Sequence, residues 1–266
     1  MIKIFFVVYG IMCYLVSLVT LLWAVAFVGD LVPPELRANA MPLPQVLLID
    51  LGLISLFGVQ HSVMARTGFK RWWTRIMPQP IERSTYVLLA SLALLLLFWQ
   101  WRPLPGVVWH VEQPLVRWLL WGICGLGWLL VVASTRMIDE RALMGLRQVY
   151  THLRAQSLPL PVFKTPALYR VVRHPLMLGF LIAFWTTPHM TPGHLLFALS
   201  MTAYILIGVH YEERDLVRIF GSTYQAYRQR VPMLLPVPGR VGREDLSREI
   251  GSTEEHSTKR PRHTRG

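Results

Sequence analysis

The chain has 266 residues, 53% of them hydrophobic and 16% charged, with a mean hydropathy of +0.40. A soluble domain carries about a quarter charged residues, and here the deficit is gathered into apolar blocks long enough to cross a bilayer, which takes about 20 helical residues. The formal net charge of +12 would suit a phosphate backbone, but Lys and Arg lie between the apolar blocks, where they set topology and face anionic lipid; the partner is membrane lipid, and no nucleic acid is called for.

In chain order, the first apolar block covers residues 2–28. Ala24-Val25-Ala26 resembles a signal-peptidase site, but the apolar run before it exceeds the usual 7–15 residues of a signal peptide, so the block reads as a retained helix. Further blocks follow at residues 43–64, 86–101 and 115–135. The last apolar stretch, 176–211, is too long for one helix and is broken at 187–193, where two prolines and a glycine mark a turn. The expected fold is therefore an all-α, polytopic transmembrane bundle of five to six helices ending in a helical hairpin. Residues 1–236 form one membrane domain, and residues 237–266, polar and rich in Arg, Glu, Ser, Thr and Gly, form a disordered cytoplasmic tail.

Loop charges set the orientation. Residues 65–85 hold Arg66, Lys70, Arg71, Arg75 and Arg83 against Glu82, and residues 136–174 hold seven Lys or Arg. By the positive-inside rule these loops and both termini face the cytoplasm of a multi-pass cell-membrane protein. Trp72, Trp73, Trp99, Trp101, Trp109 and Trp118 fall near the expected interfaces as anchors. Cys13 and Cys124 lie inside apolar blocks as small buried hydrophobes, with no disulfide or metal framework implied. Gly122, Gly125 and Gly127 allow close helix approach in lipid.

Ionisable groups inside a span are costly and tend to be functional. Asp50 and His61 are eleven residues apart, about three helical turns, so both lie on one face of the second helix. That face looks into the bundle, with two readings open: a helix–helix hydrogen bond, or a functional group at the His61 end. The densest constellation is C-terminal. Tyr169-Arg170-Val171-Val172-Arg173-His174-Pro175 opens the hairpin, Glu212-Glu213 closes it, and Gly221, Tyr224, Tyr227, Arg230, Val231 and Pro232 follow at regular spacing. Pro175 suits a first helical turn, so Arg173 and His174 stand at a helix N-terminus, which favours an anionic group. Glu212 and Glu213, expected to end the partner helix, are within reach of hydroxyls or a cation. Tyr224 and Tyr227, three apart on a short helix, can both fold back on the hairpin mouth. A salt-bridge cluster at the membrane interface is the alternative.

These C-terminal motifs, over about 165–236, resemble the membrane methyltransferases that include isoprenylcysteine carboxyl methyltransferases and phospholipid methyltransferases. Met177 departs from that pattern, standing where the group has Tyr. Gln60-His61-Ser62-Val63-Met64-Ala65-Arg66, Lys70-Arg71-Trp72-Trp73 and Pro80-Ile81-Glu82-Arg83-Ser84-Thr85-Tyr86 resemble the nurim-like branch, which includes bacterial methanethiol S-methyltransferases, over nearly the whole chain except the tail. The resemblance implies methyl transfer from S-adenosylmethionine to a small volatile thiol, methanethiol, giving dimethyl sulfide. It also implies that Arg173 and His174 hold the cofactor carboxylate and that Glu212 or Glu213 holds its ribose or ammonium, with Tyr224 and Tyr227 near the adenosine. Methyl transfer from a sulfonium needs positioning above all. Deprotonation of the thiol is assisted by a base, with His61 and His174 the candidates, or by the sulfonium charge itself. His189 and His194 lie on the opposite side with poor ligand spacing, so no metal is expected. Two other readings accompany the thiol methyltransferase: the same enzyme class with a lipophilic acceptor, and a non-enzymatic nurim-like membrane protein that keeps the hairpin as scaffold.

Overall fold

A computed structural model describes residues 1–31, 41–160 and 162–236; the expected tail, 237–266, lies outside them. Among the described residues, five helices are long and apolar enough to span a bilayer: α1 (Ile2–Val28), α2 (Leu43–Ala65), α4 (Gln79–Gln100), α5 (Pro114–Ile138) and α9 (Pro192–Phe220). Shorter helices lie between and after them: α3 (Thr67–Trp73), α6 (Glu140–Leu143), α7 (Leu146–Leu153), α8 (Pro175–Trp185) and α10 (Ser222–Arg230). α2, α4, α5, α8 and α9 each carry proline in the first turn, where the missing N–H costs nothing. The expected hairpin is therefore α8 and α9. At 11 residues α8 is about 16 Å long, roughly half a hydrocarbon layer.

Two two-residue strands, β1 (Trp109–His110) and β2 (His189–Met190), pair antiparallel with Trp109 opposite Met190 and His110 opposite His189. β1 follows α4 and β2 follows α8, so the ends of these two helices lie together. Among the described residues the chain thus runs from end to end of the bundle six times, the fifth time through α8 and the non-helical residues after it. Backbone outside a helix is tolerated at membrane depth only where protein satisfies it. Here the Trp109 indole N–H donates to the Thr187 carbonyl (3.0 Å), and Val111 N–H to that of Pro188 (2.9 Å). This is the ladder end of the bundle; the opposite end carries the arginine-rich segments.

The core runs between α1, α2, α4, α8 and α9, through Phe27, Phe57, Leu97, Phe98, Phe184, Phe197, Met201 and Val209. Trp101 belongs to it. Expected as an interfacial anchor, it is 5% exposed and stands edge-on to Phe27 and Phe197, because the chain turns inward after α4. Trp72, Trp99 and Trp118 are exposed, as anchors should be. Of the three α5 glycines only Gly127 makes a close approach. A Cβ there would sit 2.8 Å from the Gly179 carbonyl oxygen, and one on Gly179 would sit 2.7 Å from that of Gly127, so α5 and α8 touch backbone to backbone. Gly122 and Gly125 face open space.

Two helices exceed their expected bounds by more than a turn. α4 begins at Gln79 instead of 86, because its polar start faces protein: Ser84 and Thr85 are buried, the Tyr9 and Thr85 hydroxyls lie 3.0 Å apart, and Arg83 Nε donates to the Leu143 carbonyl (2.8 Å). α9 continues to Phe220, so Glu212 and Glu213 lie two turns inside it and do not end it.

Candidate active site

The C-terminal constellation is assembled by one strap. After α10 the chain runs back along the start of α8, where Arg173 N–H donates to the Pro232 carbonyl (2.9 Å) and His174 N–H to the Met233 carbonyl (3.1 Å). The strap therefore occupies the backbone amides of Arg173 and His174, the two residues expected to stand at an anion-favouring helix N-terminus. The side chains are drawn inward as well. Arg173 Nε donates to Glu213 Oε1 (2.7 Å), and its Nη1 to the carbonyls of Arg228 (2.9 Å) and Val231 (2.5 Å). His174, 6% exposed, sits between the two carboxylates, with Nε2 3.2 Å from Glu213 Oε1 and Nδ1 3.6 Å from Glu212 Oε2. A buried charge must be paired and hydrogen-bonded to persist, and Arg173 and Glu213 meet that condition. Glu212, on the next position around α9, keeps a half-exposed carboxylate.

Beside this cluster lies an aromatic one. Gly221, at φ +57, turns the chain from α9 into α10, which folds Tyr224 and Tyr227 against Phe163 and Phe220. The Tyr227 hydroxyl donates to the Tyr169 carbonyl (2.5 Å). The hydroxyls of Tyr224 and Tyr169 are buried and unpartnered among the described residues. Burial, reinforced by Glu213 at Tyr224 and by Glu212 at Tyr169, pushes both phenols above the usual tyrosine range, so at neutral pH each is an O–H donor without an acceptor. A buried unpaired donor costs about 1–3 kcal/mol, so each hydroxyl is a donor that an acceptor on a ligand could satisfy. Sequence reasoning missed Tyr169 as a site residue, although it opens the motif quoted for its neighbours. It also missed Phe163 and the strap, for which no motif stood out.

His61 lies in a separate group. Its ring is hydrogen-bonded to the Tyr86 hydroxyl (2.8 Å from Nε2) and packed against Phe57 and Tyr204. The Arg83 guanidinium lies over the Tyr86 ring, 4.8 Å from its centroid. Tyr204 and Glu213 are nine residues apart on α9, about 13 Å along its axis, so His61 is not drawn into the His174 cluster. Asp50, on the same face of α2, accepts from the backbone N–H of Arg102, just past the end of α4 (2.9 Å), towards the ladder end, a helix-to-loop bond where a helix–helix one was one of the two expectations. Met177 packs against the core. Across the ladder, His110 Nδ1 and His189 Nδ1 are 3.1 Å apart, a pairing invisible in sequence.

Comparison with known proteins places this architecture. The family model described as NnrU protein matches residues 48–236. The chain belongs to the NnrU family. Over 236 residues, 88% of this chain and 97% of the relative, it is 54% identical to a methanethiol S-methyltransferase of Mycobacterium tuberculosis. It is 55% identical to methanethiol S-methyltransferase 2 of Bradyrhizobium diazoefficiens over 230 residues, 86% of this chain and 88% of the relative. Nurim of Sus scrofa is 35% identical over 176 residues, 63% of this chain and 66% of that protein. No solved structure matches. The nurim-like resemblance read from the residues around His61 is borne out, and both groups described above fall inside the NnrU match.

Proposed function

We propose that this NnrU-family protein is a membrane thiol S-methyltransferase, converting methanethiol to dimethyl sulfide with S-adenosylmethionine as donor. The observation that carries the reading is its 54% identity, over nearly its whole length, to a protein named methanethiol S-methyltransferase. The orphaned hydroxyls support the donor, because its ribose and carboxylate offer the acceptors that Tyr169 and Tyr224 lack. Bound beside them, S-adenosylmethionine would supply an electrophilic methyl group.

The remaining work is done by the chain. Glu212, half-exposed, takes the ammonium or ribose hydroxyls, while Phe163, Phe220 and Tyr227 offer a wall for the adenine. Arg173, His174 and Glu213 are spent on one another and brace the mouth, so their contribution is rigidity, which fixes the reacting atoms in line. With both nitrogens of His174 facing carboxylates, His61 is the better placed acceptor for the thiol proton, held in position by Tyr86. The arginine-rich end, both termini and the site face the cytoplasm of the cell membrane, and residues 1–236 form the catalytic unit.

The test is headspace gas chromatography on purified protein given methanethiol and S-adenosylmethionine. Dimethyl sulfide should appear, and His61→Asn should slow its release by about a hundredfold, the low end for general-base loss, with donor affinity unchanged. Absence of product with the donor demonstrably bound would refute the reading.

A further inference from the structure

Opposite the Glu213 face of α9, a concavity of about 350 Å³ is lined by Arg66, Tyr211, Arg214, Asp215 and Arg218. At roughly 100° per residue, Tyr211, Arg214, Asp215 and Arg218 share one side of the helix, and Glu213 lies on the other. Arg66 follows the last residue of α2 and leans across to meet them. Asp215 works as a bracket: its Oδ2 lies 3.6 Å from Arg66 Nη1, and its Oδ1 accepts from Arg218 Nη1 at 3.1 Å. Arg66 also lies over the Tyr211 ring, 4.4 Å from its centroid, while lining the hollow. Arg214 makes no hydrogen bond or ion pair among the described residues. Two guanidiniums thus share the Asp215 carboxylate and a third, Arg214, lines the same hollow, so three positive charges meet one negative charge in a hollow that is open to solvent at the end of two membrane spans.

We propose that this hollow binds a phosphate group, and that in the membrane the phosphate is the headgroup of an anionic phospholipid. Planar guanidiniums match phosphate oxygens in pairs. The place is right for lipid, because Arg66 adjoins the apolar end of α2 while Arg214 and Arg218 stand on the polar last turns of α9. Arg66 ends the Gln60–Arg66 segment, a motif that the methyl-transfer chemistry leaves unused beyond His61.

Native mass spectrometry of the detergent-solubilised full chain, with equal phosphatidylglycerol and phosphatidylcholine, tests the site. One phosphatidylglycerol should be retained in preference. The Arg214→Gln/Arg218→Gln double variant should lower that retention about tenfold, as expected for the loss of one or two charge-assisted hydrogen bonds. Both side chains are exposed, and an unchanged thermal midpoint in detergent would show that the variant is folded. The control is Arg71→Gln/Arg75→Gln, which removes equal charge outside the hollow. Equal losses from the two variants, or equal retention of the two lipids by the parent, would overturn the proposal in favour of diffuse surface charge. Inorganic phosphate distinguishes the sources: displacement of the lipid at millimolar concentration assigns the hollow to free phosphate, and lipid retained against it assigns it to the headgroup.

Discussion

Adjacent glutamates on α9 do different jobs because the helix turns them to different surroundings. Glu213 is tied to Arg173 and His174 out of water, so Glu213→Gln should leave the Arg173 charge buried and cost about 3–5 kcal/mol, the usual penalty for breaking a buried pair. Thermal unfolding in detergent would register this as a large drop in the midpoint. Glu212 is half-exposed, so Glu212→Gln should change stability by no more than about 0.5 kcal/mol while weakening S-adenosylmethionine binding measured by calorimetry. Tyr224→Phe is a sharper case. The hydroxyl has no partner among the described residues, so its removal should leave the ligand-free protein as stable or slightly more so, and donor affinity should fall about five- to tenfold, one hydrogen bond's worth. Sequence made Arg173, His174, Glu212 and Glu213 conspicuous, because charge beside apolar runs stands out. It could not show that Arg173 and Glu213 satisfy each other, since chain spacing says nothing of partners forty residues away.

At the scale of elements, hydropathy located α1 and α2 to within a residue, because their lipid-facing sides are apolar from end to end. It failed at the start of α4 and the end of α9, where a helix leaves lipid but not protein and polar residues such as Thr85 and Glu213 turn inward. It also passed over α3 and α7. α7 is amphipathic, burying Val149 against Gly10 of α1, and no window averaged over a bilayer's length detects eight residues. The seam between α5 and α8 rests on one glycine from each helix. Gly127→Ala would place a methyl group 2.8 Å from the Gly179 carbonyl oxygen and 2.9 Å from Ala183 N; parting the helices should cost about 1–3 kcal/mol, the range for overpacking. Gly125→Ala meets nothing within 4 Å and should be neutral. Parallel thermal melts of the two variants test the pair, and equal effects would contradict the seam.

At the scale of the molecule, the ends of the bundle are built differently. The arginine-rich end is open, with Glu212 and the phosphate hollow exposed. At the other end the β1–β2 ladder draws the loop between α4 and α5 over the break between α8 and α9, and the hollow beneath it stops on the interlocked rings of Phe27, Trp101 and Phe197. With the donor bound beside Glu212 as proposed, that ladder would make the protein sided as a catalyst: a membrane-impermeant donor would be turned over only from the compartment that the Glu212 end faces. In sealed proteoliposomes of uniform orientation, S-adenosylmethionine supplied to that compartment should yield dimethyl sulfide, and the same amount supplied to the other should yield none until the vesicles are permeabilised. Equal product from both compartments would mean that the ladder does not close the bundle.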